Sequence, residues 1–394
     1  MPFAYTNTNI LLAEETKVTL YQGFNKYTPV IEKELDEPVA ETHVSYPLGN
    51  TSPSFFLLTV SGKLHAFGGN TYGQLGLGSR SSLINEPQLI NDESIGKIIK
   101  VKCGLNHTAL LNERGEVYVA GQNAARQVGR EGNDALTFEK VDLTAFGPVK
   151  HLECGHLFTI AVTQKGQLIT WGYNPHGASK GEKKGYITHP LPINLPANAG
   201  PIINIFAQGT TFYVITPNQV YASGENCYND VFGFTICKDV EFHPIPQLMN
   251  KKIIGMMGGD KMRIAVNDRE KLFTWDNVYL HAPGNTTAPT PFPIKSRSMK
   301  YANNVLFMLT SDDQLNLYHA DTIENMKPFS VNLPEQLESS IKQILLDEYV
   351  KSRKQLLCTN LYSTQQTQKF IDLLFTHTEE QNTPPTEDRV NSPT

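Results

Sequence analysis

The sequence has no long apolar run, and only 19% of its residues are charged. No segment approaches the roughly 18 apolar residues of a membrane-spanning helix. The start of the chain, MPFAYTNTNILLAEETK, lacks the basic and apolar regions of a signal peptide. The net charge of -5 gives no general attraction to nucleic acid or to an anionic membrane. We therefore expect a cytoplasmic or nuclear protein without a membrane span or direct DNA binding.

Cysteine is also scarce, and metal-binding and catalytic patterns are missing. The five cysteines include no CxxC pair, which is typical of a reduced intracellular protein. Cys227, Cys237 and His243 lack the close spacing of zinc ligands. No Ser/His/Asp or paired-carboxylate arrangement is recognisable. The sequence therefore predicts no catalytic site, no metal and no cofactor, and a protein that is not an enzyme.

What the sequence does contain is an internal repeat. A glycine ends an apolar stretch and is followed two positions later by an asparagine. This pair recurs at intervals of 51 to 53 residues at Gly68, Gly121, Gly172 and Gly224, with further copies at Gly23, Asp276 and near His319. Glycine permits a positive φ, and the asparagine side chain can hydrogen-bond the turn. We interpret the pair as the end of a strand followed by a corner.

A second half-motif precedes most corners and completes the unit. Its fullest copy, 99-IKVKCGLNHTALLNERGEV-117, reads as strand, glycine turn, strand, tight turn and the start of a third strand. A repeated four-stranded unit of about 50 residues is typical of a β-propeller blade. The sequence therefore predicts an all-β, seven-bladed propeller. Its predicted second strands are 55–60, 108–112, 159–163, 211–216, 262–267, 304–310 and 355–359.

The two ends of the chain contain unmatched halves of this unit. The corner at Gly23 has no preceding half, and the half at 341–360 has no following corner. We therefore predict that N-terminal strands complete the C-terminal blade, since this closure covers open strand edges. The expected organisation is an N-terminal extension at 1–16, the propeller at 17–363, a short packing segment at 364–375 and a disordered tail at 376–394.

Two stretches resemble the RCC1-like repeat family of seven-bladed propellers. The stretch 62-GKLHAFGGNTYGQLGLGS-79 is similar to the family pattern W/F-G-x-N-x-x-G-Q-L-G, and 100-KVKCGLNHTALLNERGEVYVAGQN-123 is similar to C/A-G-x-x-H-T/S-x-x-L. WD-repeat and kelch propellers are the competing interpretations. The WD period is shorter, and kelch repeats lack the Gly-Gln-Leu-Gly tail, so the RCC1-like interpretation is favoured.

The resemblance implies a function in protein binding. Family members use the face with the Gly-x-x-His loops, and some exchange nucleotide on small GTPases without acid, base or nucleophile. We expect a protein-interaction propeller, a scaffold or regulator that engages a small GTPase or another protein through one face. The alternative is a guanine nucleotide exchange factor for a Ran-like or other small GTPase. Glu14 and Glu15 near the start, and Asn106 before the loop histidine, disfavour an exchanger of Ran at chromatin.

A third hypothesis is a propeller enzyme or lectin. It requires a polar central funnel with carboxylates or histidines at equivalent positions in several blades, and the sequence shows no such equivalence. We expect a monomer in which first-to-second and third-to-fourth strand loops share one face. The candidate partner-binding residues on that face are Tyr72, Asn106, Arg126, His156, His176, Tyr228 and Lys261. The residues interpreted as packing groups of the repeat are Cys103, His107, Cys154, Trp171 and Trp275.

Overall fold

The described residues form seven antiparallel sheets in chain order, which confirms the predicted seven-bladed, all-β fold. The computed structural model describes residues 3–6, 8–23, 27–45, 52–174, 185–224, 242–258, 262–269, 271–276, 290–291, 296–302, 305–310, 312, 314–319 and 333–346. His176, Tyr228, Lys261 and the predicted segments at 355–359, 364–375 and 376–394 lie outside these residues.

Blades 1 to 4 are four-stranded sheets in which each strand pairs with its neighbour in sequence. Blade 1 contains β1 (Phe3–Tyr5), β2 (Asn9–Glu14), β3 (Lys17–Gln22) and β4 (Thr28–Glu34). Blade 2 contains β5 (Val39–Val44), β6 (Ser54–Thr59), β7 (Leu64–Asn70) and β8 (Ser81–Leu89). Blade 3 contains β9 (Ile98–Cys103), β10 (His107–Asn112), β11 (Val117–Gly121) and β12 (Ala135–Lys140). Blade 4 contains β13 (Val149–Cys154), β14 (Phe158–Thr163), β15 (Leu168–Asn174) and β16 (Gly185–Ile193).

Blades 5 and 6 repeat this order, and three strands of blade 7 are described. Blade 5 contains β17 (Asn204–Gln208), β18 (Thr211–Ile215), β19 (Val220–Gly224) and β20 (His243–Pro244), followed by a 3-10 helix (Pro246–Leu248). Blade 6 contains β21 (Ile253–Gly258), β22 (Met262–Asn267), β23 (Leu272–Asp276) and β24 (Thr290–Pro291). Blade 7 contains β25 (Ser296–Ala302), β26 (Val305–Thr310) and β27 (Leu315–His319). Helix α1 covers 335–346, and the described residues contain no helix whose length and apolar character suit a membrane crossing.

The core lies in layers between neighbouring blades. Successive residues of β11 face opposite layers: Val119 packs in the cluster shared with blade 4, whereas Tyr118 packs in the cluster shared with blade 2. All six residues of β10 are buried. A sheet covered on both faces needs apolar residues on both, which explains the nearly continuous apolar runs of the second and third strands.

The first strand of each blade lies nearest the central axis. First strands of successive blades contact one another from β1 and β5 around to β21 and β25. Residues of β1, β5, β9, β13, β17 and β25 line one cavity on this axis. The first strands therefore form the wall of a central channel, and the fourth strands lie at the rim.

The two loop types predicted to share a face do so. In blade 3, Gln122 N donates to the Asn106 carbonyl oxygen over 2.8 Å, which joins the third-to-fourth strand loop to the first-to-second strand loop. In blade 4, Tyr173 N donates to the Leu157 carbonyl over 2.9 Å in the same way. We call the face formed by these two loop types the corner face. The second-to-third strand turns lie on the opposite face, where Val149 N donates to the Gly115 carbonyl.

The closure of the ring differs from the prediction. Blade 1 is complete within 3–34, so the N-terminal strands do not complete the C-terminal blade, and the propeller begins at Phe3 rather than at residue 17. The missed second strand, β2, pairs with β3 through a turn at Glu15, which has φ of 54°. Other blades place glycine in this turn, as at Gly115 with φ of 77°. Because Glu15 replaces that glycine, the turn carried no sequence signal.

Helix α1 is the second difference from the prediction. Residues 341–346 were expected to begin a strand, but they lie in the helix. Leu337, Ile341, Ile344 and Leu345 recur at helical spacing, and they pack on Phe3 of blade 1 and Phe307 of blade 7 in one cluster. The helix also donates a 2.6 Å hydrogen bond from Ser340 Oγ to Glu14 Oε1. The first and last blades therefore meet face to face, with α1 packed against the cluster they share.

Candidate functional site

The corner asparagine shapes each third-to-fourth strand loop. Asn123 Nδ2 donates to the carbonyl oxygens of Arg130 and Gly132, each over 3.0 Å, and Asn123 Oδ1 accepts from Val128 N over 3.2 Å. Asn70 does the same in blade 2, with bonds to the Ser79 carbonyl and to Leu75 N. The side chain thus satisfies loop backbone groups that no strand pairs with. This confirms the structural role predicted for the Gly-x-Asn pair.

The loop of one blade supports the corner of the next. Trp171 is fully buried, and its Nε1 donates to the carbonyl oxygen of Gln127 in blade 3 over 3.0 Å. A Cβ added at Gly172 would lie 2.6 Å from the Leu157 carbonyl oxygen. The corner therefore requires glycine for its φ of 100° and for space. Trp171 and Gly172 are architecture, as predicted.

His107 is a buried packing group. Its side chain has no exposed surface, and Nε2 lies 3.1 Å from Thr159 Oγ1 of the next blade. Burial lowers the pKa of His107 to about 3, because the charged ring cannot be hydrated there. The ring is therefore neutral at physiological pH, and it connects two blades as the repeat position predicted.

Cys103 and Cys154 occupy the same position in adjacent blades, and both are free thiols. Burial raises the pKa of Cys103 to about 12 and raises the pKa of Cys154 as well. A thiol at neutral pH is a poor nucleophile. Within the described ranges, no group of three or more His, Cys, Asp or Glu side chains is arranged to hold a metal ion.

Four of the seven predicted partner-binding residues lie on the corner face. Tyr72 and Arg126 belong to third-to-fourth strand loops, and Asn106 and His156 belong to first-to-second strand loops; each is partly exposed. Asn106 Nδ2 donates to Gln122 Oε1 over 3.1 Å, which orders the two loops of blade 3. Leu105 N donates to the His156 carbonyl oxygen over 3.0 Å, so the first-to-second strand loops of blades 3 and 4 touch.

Arg126 has an unusual backbone conformation. Its φ is 64°, and the equivalent residue of blade 2 is Gly73, with φ of 78°. A non-glycine residue in this region costs on the order of 1 kcal/mol and is uncommon. The guanidinium is held only by a long contact, 3.4 Å from Nη1 to the Gly132 carbonyl oxygen. The loop therefore tolerates a strained backbone at a residue that presents a charged side chain on the corner face.

The sequence interpretation missed charged side chains in the central channel. His43, Lys102 and Glu153 occupy equivalent positions in β5, β9 and β13, opposite Phe56, Ala109 and Ile160 of their second strands. Glu41, Lys100 and His151 form an equivalent set two residues earlier. The expectation that no polar equivalence exists across blades was therefore wrong. The alternation of these residues with buried Val101 and Leu152 was the available signal.

Family comparison matches the part of the chain where the repeat is most regular. Residues 61–111 and 98–127 match the family described as Regulator of chromosome condensation (RCC1) repeat. These residues contain the corners at Gly68 and Gly121 and the loop histidine of blade 3.

Curated relatives share this region with the chain. The mouse X-linked retinitis pigmentosa GTPase regulator is 36% identical over 34% of this chain and 14% of its own length. The mouse secretion-regulating guanine nucleotide exchange factor is 33% identical over 31% of this chain and 28% of its own length. The ultraviolet-B receptor UVR8 of Arabidopsis thaliana is 28% identical over 55% of this chain and 50% of its own length. The matches thus span half or less of each relative.

A solved structure extends the similarity to most of the described fold. The crystal structure of human WBSCR16 has a TM-score of 0.62 and 18% identity, and the match covers 79% of this chain and 87% of that chain. At this identity the similarity concerns the fold. The chain is an RCC1-like seven-bladed β-propeller, and its residues 61–127 carry RCC1 repeats.

Proposed function

We propose that this propeller binds a protein partner through the corner face, as a scaffold or regulator that engages a small GTPase or another protein. The observation that supports it most is the position of Arg126. A loop position that is glycine in the neighbouring blade here carries an arginine at positive φ. Backbone strain persists at sites where it serves a function, and arginine is enriched among residues that dominate binding energy.

The other described candidates place a possible contact area around Arg126. Tyr72, Asn106 and His156 lie in loops of blades 2, 3 and 4 on the same face. A stable protein–protein interface buries about 800 Å² per partner, which requires contributions from several adjacent loops. His176, Tyr228 and Lys261 extend the proposed set to blades 4, 5 and 6.

Nucleotide exchange is the second candidate function. Two relatives bear names that describe a GTPase regulator and a guanine nucleotide exchange factor. Exchange requires that the propeller bind the nucleotide-free GTPase more tightly than the nucleotide-bound form, and no acid, base or nucleophile is needed. The neutral His107 and the protonated Cys103 agree with a function that depends on binding.

A panel of purified small GTPases separates the two functions. Each GTPase is loaded with a fluorescent guanine nucleotide, and both its binding to the propeller and its rate of nucleotide release are measured. Binding without faster release supports a scaffold or regulator, and faster release supports an exchange factor. If no GTPase of the panel binds in either nucleotide state, the proposal of a small-GTPase partner is wrong.

A further inference from the structure

A cavity of about 290 Å³ lies on the propeller axis and opens between the first-to-second strand loops of the corner face. Its polar lining includes His43, Lys102, Glu153 and Lys300, contributed by four different blades. The side chain of Lys102 keeps 31% of its surface exposed, and that of Glu153 keeps 13%. The cavity is therefore accessible to solvent, unlike the dry layers between the blades.

Each carboxylate of this region has a basic partner. Lys102 Nζ lies 2.7 Å from Glu153 Oε1, and His43 Nε2 lies 3.1 Å from Glu41 Oε2. Lys300 lies at the same opening, with its Nζ 4.5 Å from the centre of the Phe3 ring. Glu41 and Glu153 are thus already engaged by groups of the protein.

The lysines outnumber these carboxylates. Lys100 points to the same side of β9 as Lys102, because the two are separated by one residue of a strand. In the described part of the chain, no carboxylate lies within 4 Å of the Lys100 amine. Burial, followed by the charge of Lys102, lowers the pKa of Lys100. Three lysines therefore face two carboxylates, which leaves one positive charge in excess while the histidines are neutral.

The nearby histidines report the same positive potential. Burial, together with Lys100 and Lys150, lowers the pKa of His151 to about 4. Burial also lowers the pKa of His43, and Lys102 and Lys300 act in the same direction against Glu41. Amines and neutral imidazoles that surround a solvent-filled cavity form a donor-rich environment, in which an anion gains charge-assisted hydrogen bonds.

We propose that the central channel is a binding site for a small oxyanion of the carboxylate or phosphate class, held by Lys100, Lys102 and Lys300. The cavity volume is close to the lower limit of small-molecule sites, which suits a compact anion. The anion adds the negative charge that the two paired carboxylates do not supply. This site is independent of the protein-binding function proposed above, since its ligand is a small molecule and its charged groups lie on the first strands.

Calorimetry and thermal unfolding with citrate and with inorganic phosphate test the site, with sodium chloride at matched ionic strength as reference. We expect saturable binding of at least one oxyanion and a rise in the unfolding temperature with its concentration. Citrate binding alone indicates the carboxylate class, and phosphate binding alone indicates the phosphate class. If neither binds saturably, or if chloride gives the same shift, the proposal is overturned.

Variants locate the binding in the channel. Lys100→Met removes the unpaired amine and keeps the length of the side chain, and we expect it to weaken binding at least tenfold, as for the loss of one charge-assisted hydrogen bond. Lys300→Met gives a second reading if Lys100→Met folds poorly. Lys165→Met, in an exposed turn of the opposite face, is the matched control and should bind as the wild type does. Equal affinity in all three variants places the anion elsewhere and contradicts the proposal.

Discussion

Single residues of the repeat have either an architectural or a free role, and Arg126 is the clearest free one. Its neighbours in the loop, Asn123 and Gln127, are buried and bonded to loop backbone. Arg126 itself is partly exposed and has φ of 64°. A strained residue without a strong structural bond is a position where stability and function can be separated by mutation.

Replacing Arg126 with glycine should stabilise the fold. Glycine adopts positive φ without a Cβ clash, so we expect Arg126→Gly to raise the unfolding free energy by about 1 kcal/mol, less the small entropic cost of glycine. Arg126→Ala keeps the strain and should leave stability within about 0.5 kcal/mol of the wild type. Urea unfolding of the three proteins measures the difference. A destabilised Arg126→Gly variant would show that the side chain supports the loop, which contradicts its free role.

His107 predicts a pH dependence of stability. Its folded pKa of about 3 lies below the model-compound value of 6.5. Below pH 6.5 the unfolded chain therefore binds a proton that the folded protein does not, and stability falls as the pH decreases toward 3. Between pH 7.5 and 5 the loss from this residue is about 2 kcal/mol. His43 and His151 change stability in the same direction.

The contribution of His107 is isolated by His107→Gln, which keeps a polar side chain opposite Thr159 but does not titrate. Unfolding free energies at pH 7.5 and pH 5 should fall less in the variant than in the wild type. Glu37 and Glu116 have pKa values lowered to about 2 by hydrogen bonds to basic partners, so the stability they contribute is lost only below about pH 4.5. An equal fall in both proteins would mean that His107 is hydrated in the folded state.

Elements of the propeller are connected by contacts between one blade's loop and the next blade's third strand. Trp171 makes such a contact through its Nε1 to the Gln127 carbonyl oxygen. Trp275 occupies the same position in blade 6, is 3% exposed, and has no acceptor for its Nε1 within the described structure. The two tryptophans therefore share their packing but differ in one hydrogen bond.

This difference predicts unequal costs of the same substitution. Trp171→Phe loses buried area and also leaves a buried carbonyl with one bond fewer, so we expect it to cost about 1–2 kcal/mol more than Trp275→Phe. Thermal or urea unfolding of both variants gives the comparison. Equal costs would show that the Trp171–Gln127 bond adds no stability and that packing alone holds the corner.

The elements that sequence could predict are those with a glycine signal. The second strands of blades 2 to 7 lie within one or two residues of the predicted segments, because tight turns and corners delimit them. Strand β2 was missed because Glu15 adopts a glycine-like conformation without being glycine. Helix α1 was missed because Ile341, Ile344 and Leu345 form a short apolar run, which periodicity cannot assign to strand or helix when it is only a few residues long.

The whole molecule closes its ring by packing rather than by exchange of strands. Phe3 and Tyr5 stack edge-on against Phe307 at centroid distances of 5.1 and 5.2 Å, and α1 packs on the same cluster. Such contacts between the two ends depend on distant residues and left no repeat pattern to read. The number of blades could be predicted because the repeat is local, whereas the closure and the charged channel arise only when the blades assemble.

The same distinction applies to the candidate site. The corner face and the buried roles of His107 and Trp171 follow from repeat position, so the sequence was sufficient for them. The strain at Arg126 could have been suspected from its alignment with Gly73, although only the structure gives its φ. Which partner the corner face binds depends on exposed side chains that no packing rule constrains.

Partner binding by matched charge-reversal variants tests the central claim most directly. Arg126→Glu alters the corner face, and Lys165→Glu alters an exposed turn of the opposite face by the same charge. For a small GTPase that binds the wild type, we predict that Arg126→Glu weakens binding at least tenfold while its unfolding temperature stays close to that of the wild type, and that Lys165→Glu binds normally. Equal binding by both variants, or weaker binding only in Lys165→Glu, would contradict a partner site on the corner face.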